Sequence, residues 1–171
     1  MSSERGVLGS LLGSAAGHFL LLTAPERALA PLSLPAELAD RPRLSLTSEL
    51  LARLPEAETL ADREHAAAGR RGEPGGRLRL DTARADTRLA LAATYDRLLA
   101  DYAGQDDLVV CEPELALAEG LDLGRLAAGR RRLVWVVPGR LRMGRAKLYG
   151  GLTPPVCMAQ ATAEEWRDGT D

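Results

Sequence analysis

The chain has 171 residues, 46% hydrophobic and 27% charged, which suits one folded domain of residues 1–171 and argues against wholesale disorder. A formal charge of −2 excludes a nucleic-acid polycation taken as a whole. The two cysteines, Cys111 and Cys157, and two histidines, His18 and His65, lack the number and spacing of a zinc site, so the chain is expected to be reduced, cytoplasmic and without a cofactor.

Val7 to Ala24 is apolar, but Glu4 offsets Arg5, and Gly9, Gly13, Gly17 and His18 interrupt the run. It therefore reads against an export signal and falls short of a membrane span. The three glycines, four apart, would share one face if residues 6–17 were helical. A strand follows over residues 18–23, then a proline-broken connection with Pro25, Pro31 and Pro35. Residues 43–47 alternate like a strand, and Ser48 is placed to cap a helix from Glu49 to Leu54.

Residues 62–77 combine charge with glycine and proline and read as a flexible loop. Leu78 and Leu80 suggest a short strand running into Asp81, which is placed to cap a helix. From Thr87 to Tyr102 apolar positions recur at helical spacing, and Gly104 ends that helix. The run Leu108-Val-Val-Cys-Glu112 predicts a buried strand tipped by an acid. Two short helical pieces, 115–119 and 121–128, precede a second apolar strand from Arg132 to Val137. Strand, crossover and strand have the length expected of a parallel pair. Pro138-Gly139 makes a turn, and Gly144, Gly150 and Gly151 allow a mobile hairpin carrying Arg142, Arg145 and Lys147. Leu148-Tyr149 suggests an edge strand and residues 164–166 a terminal helix, within a C-terminal extension over 152–171. The fold class is α/β, a small mainly parallel sheet flanked by helices, Rossmann-like or P-loop-like in type.

Two constellations stand out. Glu112, with Glu114 close by, sits where an acid at a strand's carboxyl end would hold Mg²⁺ or a water in phosphoryl transfer; capping or pairing with an arginine is the structural alternative. Arg125, Arg130, Arg131, Arg132, Arg140, Arg142, Arg145 and Lys147 form a run with no acid between Asp122 and Glu164. Such an asymmetry suits DNA phosphates, an acidic partner protein or a solvated rim.

The ordered pieces from 18 to 151, above all the acid-tipped strand, the segment Val134-Trp-Val-Val-Pro-Gly-Arg140 and the following Leu148-Tyr149-Gly150, resemble the small P-loop-like protein of bacteriophage-exclusion (BREX) defence clusters. The resemblance implies that Glu112 corresponds to the acid of a Walker-B-like strand. The phosphate loop should follow the first strand, yet Thr23-Ala-Pro-Glu-Arg-Ala28 offers neither its glycines nor its lysine. The expectation is a non-catalytic accessory subunit that docks to other defence proteins or to DNA through its basic residues. A Mg-dependent phosphoryl-transfer enzyme using Glu112 and a free-standing nucleic-acid-binding module are the alternatives.

Overall fold

The computed structural model describes residues 17–23, 34–148 and 152–166. In chain order these form β1 (Gly17–Thr23), α1 (Ala36–Ala39), β2 (Arg43–Ser45), α2 (Leu46–Arg53), α3 (Ala57–Gly69), α4 (Gly76–Asp101), β3 (Asp107–Cys111), α5 (Glu114–Ala118), α6 (Gly124–Ala127), β4 (Arg132–Arg142), β5 (Arg145–Leu148), α7 (Val156–Ala159) and β6 (Thr162–Glu165). The expected helix over 6–17, apart from Gly17, the proline-rich connection over 24–33, and Tyr149 lie outside the described residues.

The chain divides into two compact units, residues 1–47 with 104–171, and residues 48–103. The first holds the sheet, in the order β2-β3-β4-β1-β6, with β5 paired to β4. All pairings along that order are parallel, and β4–β5 is an antiparallel hairpin. The fold is thus α/β with a mainly parallel sheet.

Its central strands are continuous apolar runs because both faces are buried. Register places Phe19 beside Val134, and Val109 beside Val134 on the other side. With Leu21, Cys111 and Val136 these residues form one core face, covered by Leu38 of α1 and edged by Leu34 and Trp166. The alternate residues Leu20, Leu22, Leu108, Val110, Leu133, Trp135 and Val137 are buried on the opposite face. Helix α7, which buries Met158, packs against α6 and β1. The indole Nε1 of Trp135 is buried and has no hydrogen-bond partner among the described residues, so its ring serves as apolar bulk.

Residues 164–166 do not form a helix. Thr162–Glu165 is a strand that extends the sheet beside β1. A one-sided edge strand needs no long apolar run, which is why its sequence lacks the usual strand signature.

The second unit is helical. Residues 62–69, expected in a loop, lie in α3, where Leu60 and Ala67, seven apart, bury one stripe while the charges face solvent. Of the chain breakers, Gly72, Pro74 and Gly75 lie in the turn between the two helices, Gly75 with φ +73, while Gly69 ends α3 and Gly76 starts α4. Leu78, Leu80 and Asp81 lie within α4, which starts at Gly76, well before Thr87. Leu80, Leu91, Tyr95 and Leu98 are its buried apolar positions. Arg53 joins Glu49 at 2.9 Å and also pairs with Asp101, tying the end of α2 to the end of α4.

Candidate functional site

In an open parallel sheet, ligands gather outside the carboxyl ends of the strands where successive connections leave in opposite directions. From β1 the chain moves to β2 at one edge, and from β4 it moves past β1 to β6 at the other. The switch point therefore falls between β1 and β4, at Thr23 and its register partner Pro138. Thr23 is buried, and its hydroxyl donates to the carbonyl of Val137 at 3.5 Å.

Here β4 outruns its neighbours. Beyond Pro138 it pairs with β5, Gly139 opposite Leu148, Arg140 opposite Lys147, Leu141 opposite Ala146 and Arg142 opposite Arg145. Gly139 is the root of this ribbon: a Cβ there would lie 2.7 Å from the carbonyl oxygen of Lys147 and 2.9 Å from a methyl of Leu22. The apolar side of the root includes buried Leu148. The backbone N–H of Leu141 donates to the Glu165 carboxylate at 3.4 Å. Met143 and Gly144, with φ +51 and +73, make the two-residue turn, the φ signs of a type I′ hairpin.

Strand alternation puts Arg140, Arg142, Arg145 and Lys147 on one face of the ribbon, and all four are exposed. They form two like-charge rungs, Arg140–Lys147 and Arg142–Arg145, directly across from each other. Like charges directly opposite each other on a ribbon are destabilising, a cost that an anionic ligand removes.

The other basic residues lie elsewhere. Arg132 starts β4, and eight residues of strand place it about 26 Å from Arg140. It is buried, and its guanidinium approaches Asp107 at 3.5 Å, with Arg41 on the same carboxylate oxygen at 2.6 Å. Arg130 donates to the carbonyl of Leu126 at 2.6 Å and to that of Gln105, closing the end of α6 against the entrance to β3. Arg131 is exposed, its carbonyl accepting from the Gly17 N–H at 3.0 Å, and Arg125 is exposed on α6. The basic run is therefore divided, with Arg130, Arg131 and Arg132 at the start of β4, Arg125 on α6 and the remaining four on the hairpin at its other end. Only Arg140, Arg142, Arg145 and Lys147 are brought together at the carboxyl edge.

Glu112 follows β3 at that same edge in the left-handed region, φ +54, which an L side chain occupies only at a cost. Thr47 holds it there. The Thr47 N–H and hydroxyl donate to the Glu112 carbonyl at 2.9 and 2.6 Å, and the hydroxyl accepts from the Leu115 N–H at 3.3 Å. Burial pushes the Glu114 carboxyl above its usual range, a hydrogen bond from its own N–H opposes this, and the Glu112 charge adds to it. Burial also raises the Cys111 thiol, with Arg43 partly offsetting the effect. Among the described residues no group of three or more His, Cys, Asp or Glu side chains is placed to hold a metal ion. No helix among them is long and apolar enough to cross a membrane.

Sequence reasoning missed Thr47, Arg41, Asp107 and Met143. A Thr after a short strand, an Asp heading an apolar run, and Met-Gly between two arginines are the local signals that Thr47, Asp107 and Met143 carried, and Arg41 carried none. Comparison with protein-family models, with curated proteins and with solved structures returned no match.

Proposed function

We propose that this chain is a non-catalytic accessory subunit of a bacterial anti-phage system of the BREX type, acting in the cytoplasm beside other defence proteins and engaging DNA through the β4–β5 hairpin. The observation that carries the DNA contact is the face of four exposed cations, stacked as like-charge rungs on a ribbon rooted at the switch point of the sheet. Three of the four are arginines, whose planar donors suit phosphate oxygens. The defence assignment rests on the sequence resemblance, and Thr23-Ala-Pro-Glu-Arg-Ala28 supplies none of the residues that would cradle a nucleotide phosphate.

Binding of labelled duplex DNA across a salt series tests the DNA contact. Four neutralised phosphates give a slope of log K against log salt near −3.6, and replacing Arg142 and Arg145 with Ala reduces it to about −1.8. A slope near zero, or binding unchanged by these substitutions, would sink the DNA reading. Recovery of an acidic protein on the hairpin, in place of DNA, would also overturn it. A neighbouring cluster of defence genes is expected, and its absence would remove the defence assignment.

Glu112 supports a second reading, phosphoryl transfer, through its left-handed backbone at the carboxyl edge, the kind of strain that collects at active sites. A thermal shift with ATP and Mg²⁺ that is abolished in Glu112→Gln would favour it over the accessory role.

A further inference from the structure

The tip of the hairpin carries a residue that phosphate binding does not use. Met143 is wholly exposed, at 102% relative accessibility, and it occupies the first central position of the turn with φ +51. Asn, Asp or Gly is the usual occupant of that position, because only they enter the left-handed region cheaply. A methionine there is unfavourable twice over, in backbone strain and in apolar surface left in water. It also stands at the end of a ribbon with two cationic rungs on one face, Arg142 and Gly144 being its immediate neighbours and Arg145 closing the turn.

An apolar tip between cations fits two anionic surfaces, a lipid headgroup layer and a nucleic-acid groove. A single methionine, with no aromatic or second apolar residue between Arg142 and Arg145, is a weak membrane anchor. One apolar side chain is sufficient as a wedge between base pairs, where Met is among the residues that partly unstack a step from the minor groove and kink the duplex. The long, unbranched side chain can follow the irregular gap that unstacking opens.

We infer that the β4–β5 hairpin is a minor-groove arm: Arg140, Arg142, Arg145 and Lys147 hold the phosphates on either side, and Met143 inserts between two base pairs and bends the duplex. This rests on the DNA reading above and adds to it a groove, a wedge and a deformation. Affinity should favour A·T-rich steps and flexible pyrimidine–purine steps, which kink at least cost.

The test uses the full chain and a short A·T-rich duplex with a dye at each end and a fluorescent adenine analogue at its centre. Binding is expected to raise the analogue's fluorescence as it unstacks and to shorten the end-to-end distance. Met143→Ala should abolish both signals and weaken binding about tenfold, leaving the salt slope unchanged; Met143→Leu should keep them. DNA binding with the expected salt slope but no unstacking or bending, or with signals equal in Met143→Ala, overturns the wedge and leaves the DNA reading standing. No DNA binding even at low salt overturns both. Binding to phosphatidylserine vesicles that depends on Met143, with no unstacking of DNA, overturns the arm in favour of a lipid surface.

Discussion

Thr47 and Glu112, the first residues beyond β2 and β3 to bond across the carboxyl edge, are joined by two donors on one acceptor, the Thr47 N–H and hydroxyl both meeting the Glu112 carbonyl. This pairing continues the β2–β3 ladder past Ser45 and Cys111 and fixes the left-handed turn of Glu112 that starts α5. Thr47→Ala removes the hydroxyl from both the Glu112 carbonyl and the Leu115 N–H. A loss of about 1–2 kcal/mol is expected by urea denaturation, with Thr47→Ser losing much less. Equal losses in the two variants would mean that the methyl group, not the hydroxyl, matters here.

At the other end of β4, Asp107 receives both Arg41 and Arg132. Arg132 is buried, so removing the shared carboxylate leaves it without this counter-charge. Asp107→Asn is expected to lower stability by about 2 kcal/mol, since hydrogen bonds to charged groups are worth more than neutral ones. Under the proposed DNA reading its affinity for DNA should be unchanged, because the site lies about 26 Å of strand from Arg140. A parallel fall in affinity and stability would show that the amino-end arginines belong to the binding surface after all.

The contrast between these two ends explains what the sequence reveals. Strands β1, β3 and β4 are legible because burial on both faces makes them continuous apolar runs, and the short crossover between β3 and β4 already implies that they are parallel. The hairpin is legible too, from Gly144 and the arginines around it. The division of the basic run is not, because neighbours in sequence become distant along an extended strand: the same period that aligns Arg140 with Arg142 carries Arg132 to the far end. The charge-rich residues 62–69 read as a loop because an exposed helical face and a solvated loop share a composition. β6 is hidden because an edge strand owes its position to pairing with β1 rather than to its own pattern.

Glu114 offers a pH test of the carboxyl edge. Its carboxyl is raised above the ordinary value of 4.5, first by burial, against the opposing hydrogen bond from its own N–H, and further by the Glu112 charge. A raised folded value means that the native state holds the proton more tightly than the unfolded chain does. This contribution to stability is therefore fully present below about pH 4.5 and is lost as pH rises through the folded value. Glu114→Gln should be more stable than the parent at pH 7, and its advantage should shrink as pH falls and vanish in acid. Denaturation midpoints measured from pH 3.5 to 7 check this, and an advantage independent of pH would point to packing rather than charge.

Arg140 and Lys147 oppose each other on the ribbon, so stability and binding should respond to one substitution in opposite directions. Lys147→Glu turns a like-charge rung into an ion pair between exposed strands. Cross-strand pairs of opposite charge stabilise by roughly 0.2–1 kcal/mol, and relief of the repulsion adds to that. The variant should therefore be more stable than the parent, most clearly at low salt, where exposed charges are least screened. In the proposed DNA complex the same change removes one phosphate contact and places a carboxylate against the DNA. Affinity should fall by at least tenfold at low salt, and the salt slope should decrease in magnitude by about 0.9 or more. Paired measurement of denaturation midpoint and DNA affinity on one preparation separates the explanations. A gain in stability with affinity lost is the signature of a rung kept cationic for a polyanion, whereas a gain in stability with affinity intact would mean that the repulsion serves no ligand.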